Sequence, residues 1–371
     1  MTRIHPSVAL AALLLAACGD SGAGGGDDAR SASVSRRAAA DTLPLAERRG
    51  MAGRILFVAE RGGNQDVYAV SPAGGAPVRL TDAPEADYPA ALSPDGAALL
   101  LVSVGERQGD QVEQMRLLPL SGAGGAAPLG PASARARAPS WGAGGEWLVF
   151  ESDRASFRDL FRIGRDGTGL TRLTSNTEGN FEPAVSPDGR WIAFASSRDG
   201  DAELYVMAAD GTGQRRLTAF HRDDWGPAWS PDGRTLLFHS NREGADRLFL
   251  VAPDGTGLRR LTATSDTVRA DVGEADPAWS PDGRRVAFTR QVRGAESRVR
   301  LADVATGAVV EIDAGPGNAS QPAWSPDGRH LAFVVTRDHE ADLWLARADG
   351  SAPTPLTRLP GAEWLPRWAP R

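Results

Sequence analysis

One cysteine, Cys18, and no lysine occur among the 371 residues, so all 41 basic side chains are arginine. A lone cysteine at that place excludes disulfides, zinc knuckles and a cysteine nucleophile from everything that follows it. Arginine without lysine, beside abundant alanine, glycine and proline, reads as the coding bias of a GC-rich genome. The net charge of −6 argues against a nucleic-acid surface, because phosphate binding needs a basic face to release counterions. Catalytic signatures are missing as well: there is no Gly-x-Ser-x-Gly elbow, no His-Glu-x-x-His and no glycine-rich loop ending in lysine. The apolar stretch 8–17 has ten residues, too few to span a bilayer.

That stretch has another use. Arg3 supplies a positive start, residues 8–17 an apolar centre, and Leu15-Ala16-Ala17 small residues ahead of Cys18. This resembles a bacterial lipoprotein signal peptide, which implies removal of residues 1–17 and acylation of Cys18; the plainer reading is a secretory signal with an incidental cysteine. Residues 18–52 follow as an acylated cysteine and a disordered tether, since Gly19 onward holds almost no large apolar side chain. Such a coil spans roughly 30 Å root-mean-square. The resemblance places the protein on the periplasmic side of an envelope membrane, the outer membrane favoured by Gly19, with the lipid as its membrane contact.

What is abundant is repetition. Ser-Pro-Asp-Gly begins at Ser93, Ser186, Ser230, Ser280 and Ser325, and degenerate copies begin at Gly142 and Ala369. The spacing of 44 to 50 residues is that of a propeller. Around each motif lie four short β runs. In one copy these are Pro227-Ala228-Trp229 before the motif, then 235–238, 247–251 and 260–262. Ser-Pro-Asp-Gly fits a type I turn between the first two runs, and Asp254-Gly255 a hairpin turn between the last two. Residues 54–81 supply the second to fourth strands of a blade without a first, and Pro366-Arg367-Trp368-Ala369-Pro370 a first strand without followers. The expected fold is therefore all-β, a seven-bladed β-propeller over residues 53–371 with four-stranded antiparallel blades, closed by pairing of the N- and C-terminal strands in one blade. Closure removes the open edges that invite aggregation. The Trp before five of the motifs reads as packing between blades.

The pattern Pro-Ala-Trp-Ser-Pro-Asp-Gly, apolar-Ala-Phe, Arg-Asp-Gly, Leu-Tyr-Val-Met, Asp-Gly, Arg-Leu-Thr resembles the propeller repeats of TolB, over residues 54–371. TolB itself carries an N-terminal α/β domain before six blades, where this chain has a tether and seven. Related repeats occur in dipeptidyl-peptidase-type enzymes, which add a hydrolase domain, and in oligogalacturonate lyases, which use histidines and a channel metal. The resemblance implies a non-enzymatic, monomeric binding scaffold with an envelope protein or peptide as partner, no nucleic acid and no cofactor. The alternatives are a carbohydrate-active enzyme with a channel metal and a sugar or peptidoglycan binder. His221, beside Asp223 and Asp224, is a single rim histidine and makes no metal site alone.

Binding residues are expected on the face opposite the Ser-Pro-Asp-Gly turns. Five and six residues before the motifs stand Asp87-Tyr88, Asn180-Phe181, Asp224-Trp225, Glu274-Ala275 and Glu363-Trp364, with Glu182 and Asp276 close by. Closure brings Trp364 near Tyr88, and Phe181 near Trp225. An acidic mouth with aromatic anchors suits a basic or amphipathic peptide; the other reading is that the aromatics cover blade edges and the acids are solvated. Arg61, Arg107, Arg154, Arg198, Arg242 and Arg337 recur at one position of the repeat and read as loop braces.

Overall fold

The computed structural model describes residues 35–37, 42–107, 110–122, 124–131, 135–262 and 272–370. These form seven antiparallel blades, the first at 86–128, then 136–172, 180–216, 224–260, 272–312 and 318–355. The seventh is built from both ends: strand Glu363–Ala369 pairs with strand Arg54–Arg61, which continues into Asn64–Val70 and Val78–Arg79. The expected closure is what the fold uses. First strands of successive blades touch at six of the seven blade boundaries, so they line the axis.

Each second strand carries an apolar triplet whose central members are fully buried. Phe57, Phe150, Phe194, Phe238, Phe288 and Phe333 are each at most 1% exposed and pack between neighbouring blades. Burial of a phenylalanine contributes about 2–3 kcal/mol, so the ring is held mainly by these interfaces. The Trp before the motif pins adjacent blades through its indole N–H. Trp229 donates to Ala184 O at 2.9 Å, Trp279 to Ala228 O at 3.2 Å, and Trp324 to Ala278 O at 3.0 Å. Trp368 donates to Ala52 O at 3.0 Å.

The Ser-Pro-Asp-Gly turn is sealed from within. In the Ser230 copy the serine hydroxyl donates to Asp232 Oδ1 at 2.6 Å and accepts the Thr235 N–H at 3.0 Å. Its glycine is left-handed, Gly233 at φ 69°, and faces the proline of the preceding motif. At the closure Pro370 fills that role, and a Cβ on Gly96 would lie 2.4 Å from its Cγ.

Two features depart from the sequence reading. The tether expected to run to residue 52 ends sooner, because residues from 42 onward dock on the propeller. Leu43 and Met51 are buried with blades 6 and 7, and the Leu43 N–H donates to Thr354 Oγ1 at 2.6 Å. Between them helix Leu45–Gly50 lies on the face of the Ser-Pro-Asp-Gly turns. There Glu47 receives Arg347 at 2.7 and 3.0 Å and meets His330 Nε2 at 3.0 Å. Arg347 holds the Glu47 carboxyl down at about 2. Secondly, Ser35–Arg37 adds a parallel fifth strand to the outer edge of blade 5, against Val310, Glu311 and Ile312. Cys18 and the signal-like segment lie outside the described residues.

Candidate functional site

Every first strand breaks its pairing with the second strand near its start. A β-bulge of this kind redirects a side chain. The residue at the break, four before the motif, is left-handed in six blades: Ala138, Glu182, Gly226, Asp276, Gln321 and Leu365, with φ between 46° and 61°. In blade 1 the place is taken by Pro89, whose ring forbids positive φ. Five of the six are not glycine, and backbone strain repeated around one ring is held by something that over-determines it.

Hydrogen bonds running from blade to blade hold it. The Glu182 N–H donates to Glu151 Oε2 at 2.8 Å, and the Gly226 N–H to Glu182 Oε2 at 2.8 Å. The Gln321 N–H donates to Thr289 Oγ1 at 3.1 Å, Thr289 in turn donates to Asp276 Oδ2 at 2.8 Å, and the Leu365 N–H reaches Gln321 Oε1 at 2.7 Å. Polar side chains thus form a collar around the axis in two arcs, from blade 2 to blade 4 and from blade 5 to blade 7.

Protein surrounds the collar, and the charges respond. Glu182 retains some exposure toward the axis, yet burial, with Glu151 as a second cause, pushes its carboxyl up to about 7. Burial also raises Glu151 and Asp276. His239 is pushed down to about 4 by burial alone, and its Nδ1 has no hydrogen-bond partner. Burial lowers the Arg367 guanidinium, with Asp276 acting against that shift. Neutral His239 and a Glu182 poised near neutrality make the collar less charged than its composition suggests.

Of the residues singled out from sequence, Glu182 and Asp276 belong to this collar. The acids six before the motif do not reach the mouth. Asp87 accepts from the Ser103 hydroxyl, Asp224 binds Arg242 at 2.7 Å, and Glu363 accepts from Thr357 and faces Arg61 at 3.4 Å. Glu274 accepts the Leu248 N–H at 2.9 Å and the Thr262 hydroxyl at 3.2 Å. All four are buried. The expected acidic mouth at these positions is corrected to a set of braces, two of them from the recurring arginines, Arg242 and Arg61. The same arginines also cover aromatic rings, as Arg242 does over Phe249 at 4.7 Å and Arg198 over Tyr205 at 4.4 Å.

The aromatics do stand on that face. Tyr88 and Trp364 share a cluster with Val58 and Leu365, and the Tyr88 hydroxyl donates to Gln65. Phe181 has Arg158 over its ring at 5.8 Å, while Trp225 stacks on His239 at 5.6 Å and 10°. Phe181, Trp225 and Trp364 are half-buried. Glu151, Gln321, Arg367 and His239 were not singled out as binding residues. Their signal lies in the columns of the repeat: Glu151, His239 and Thr289 occupy equivalent second-strand positions, opposite Arg137, Trp225 and Ala275. Among the described residues no three His, Cys, Asp or Glu converge as a metal-ligand set.

A ring of seven four-stranded blades, closed by its own termini and lined by bulged first strands, defines a β-propeller. Within that class, two parts of the chain match known propeller families. Residues 274–371 match the model of the TolB beta propeller domain, and residues 148–268 that of the Tricorn protease N-terminal beta propeller domain. TolB from Acinetobacter baumannii is similar at 20% identity and TM-score 0.53, over 86% of this chain and 67% of that one. An oligogalacturonate lyase in complex with manganese is similar at 16% identity and TM-score 0.63, over 80% of this chain and 86% of that one. A puromycin-hydrolyzing peptidase of Mycobacterium tuberculosis is similar at 18% identity and TM-score 0.61, over 86% of this chain and 55% of its own. No curated protein matches in sequence. At these identities the likenesses establish the fold.

Proposed function

We propose that this chain is a non-enzymatic binding propeller of the bacterial cell envelope, held by a lipid on Cys18, that captures a peptide segment of a partner protein at its collar. The observation that carries this reading is the placement of Glu182 and Asp276 around the axis, with half-buried Trp225, Phe181 and Trp364 on the same face. Aromatic anchors around partly desolvated polar groups are the usual make-up of a binding centre. The buried acids Asp87, Asp224, Glu274 and Glu363 have no part in it.

The test is affinity capture from envelope extract, with soluble protein beginning at residue 42 so that the docked segment is kept. Wild type is compared with the Trp225→Ala, Trp364→Ala double variant. A partner retained by wild type and lost by a folded double variant supports the reading; equal retention by both overturns it. Cys18→Ser should move the full-length protein from the membrane to the soluble fraction. The oligogalacturonate-lyase reading has the fold likeness alone behind it, and elemental analysis for stoichiometric manganese tests it.

A further inference from the structure

Beside the collar, on blade 2, lies a cavity of about 220 Å³ on the mouth face, lined in part by Arg135, Arg137, Glu151 and Arg158. At ~30 Å³ per water this is room for about seven waters, the scale of a small organic molecule. Its floor is Glu151, 1% exposed. Glu151 Oε2 takes the Glu182 N–H, but Oε1 is buried with no hydrogen-bond partner. Two guanidiniums pair with that oxygen by charge at a distance too long for a hydrogen bond, Arg137 Nε at 3.8 Å and Arg158 Nη1 at 3.8 Å.

The arginines differ in what they already hold. Arg137 is committed to Glu113, at 2.6 and 2.9 Å. Arg158, and Arg135 at the exposed lip, have no hydrogen-bond acceptor for their guanidiniums among the described residues. Ser152 and Asp153 are spent on the loop: the serine hydroxyl donates to Arg135 O at 2.6 Å, and Asp153 Oδ1 accepts the Arg135 N–H at 3.1 Å. What the cavity leaves open is a pair of forked donors near its entrance and one buried acceptor at its base. A buried acceptor without a donor is costly, and guanidinium forks match a carboxylate.

We infer that the cavity binds a carboxylate bearing an N–H on its α carbon, the carboxylate held by Arg158 and Arg135 and the N–H donating to Glu151 Oε1. That chemistry belongs to a free amino acid and to the C-terminal residue of a peptide. The inference deepens the peptide reading and rests on it for the peptide source.

The test is calorimetric titration of the purified protein with L-alanine, N-acetyl-L-alanine, N-acetyl-L-alaninamide and propionate. L-Alanine, N-acetyl-L-alanine or both should bind, with the amide and propionate at least tenfold weaker. Binding of the acetylated form identifies a peptide terminus as the source, and binding of alanine alone a free amino acid. Glu151→Gln and Arg158→Gln should each weaken binding at least tenfold with the melting temperature held. Arg135→Gln, at the exposed lip, should weaken it without touching the fold and serves if either of the others unfolds. No binding by either amino acid form, propionate binding as tightly, or indifference to all folded variants would overturn the inference. Failure of the peptide reading alone would leave alanine bound and no peptide captured. Failure of this inference alone would leave peptide capture indifferent to Arg158→Gln.

Discussion

Glu151 and Glu182 meet across the boundary of blades 2 and 3, where the Glu182 backbone N–H donates to Glu151 Oε2 at 2.8 Å. Burial raises both carboxyls, and Glu151 adds to the rise of Glu182, which reaches about 7 from an ordinary 4.5. A carboxyl whose folded value exceeds its unfolded one favours the fold fully below the unfolded value and loses that contribution as pH rises through the folded one. Between pH 4.5 and 7 the loss amounts to at most about 3 kcal/mol. Glu182→Gln keeps an acceptor for the Gly226 N–H and removes the titration. The variant should gain stability over wild type as pH rises from 5 to 8, read from urea midpoints at each pH; a constant difference would show that Glu182 does not titrate in this window.

Gly96→Ala should be among the more damaging single-methyl changes in the chain. The new Cβ meets Pro370 Cγ at 2.4 Å, and φ is 67°. Strain and overlap together should cost about 2–4 kcal/mol. Gly62→Ala, at φ 65° with nothing nearby, carries the backbone strain alone and should cost about 1 kcal/mol. Thermal melts of the two variants separate the closure contact from the conformational cost.

Trp368→Ala removes the indole that joins the C-terminal strand to blade 6 and to Ala52. A loss of about 3–5 kcal/mol is expected for a buried tryptophan. Truncation after Leu365 removes the same residue and most of the closing strand, so it should lower the melting temperature of the whole ring. Loss confined to blade 7, seen by hydrogen exchange, would show that the blades melt independently.

Glu47→Gln should release the docked N-terminal segment while leaving the ring folded, read as faster proteolysis between residues 42 and 52. The carboxyl is depressed to about 2, chiefly by Arg347, so its contribution is present above pH 4.5 and fades as pH falls toward 2. Protection of wild-type Arg48 and Arg49 should therefore weaken in acid, while the variant stays uniformly cleavable.

The propeller was legible because its turns are chemical: Ser230, Asp232 and Gly233 each have a part that few other residues perform, and the pattern recurs at blade spacing. Closure followed from counting strands at the two ends. The site was harder to read because it depends on register. An unbroken strand would turn residues six and four before the motif to one side, so Asp224 and Glu182-type positions looked equivalent. The bulge separates them, sending Asp224 into the wall against Arg242 and leaving Glu182 beside the axis. Composition alone marked residues 42–52 as tether, yet this short stretch holds two large apolar side chains, Leu43 and Met51, which flank the helix and dock on either side of Glu47.

The docked segment also decides how the molecule bears a load. Without it, a pull on the N-terminus would fall directly on strand Arg54–Arg61 and peel it from Glu363–Ala369, opening the ring at its seam. With Leu43 and Met51 buried and Glu47 clamped by Arg347 and His330, tension is taken first by blades 6 and 7 together and by the edge pairing of Ser35–Arg37 with blade 5. The seam is thereby shielded from the chain that leads to it.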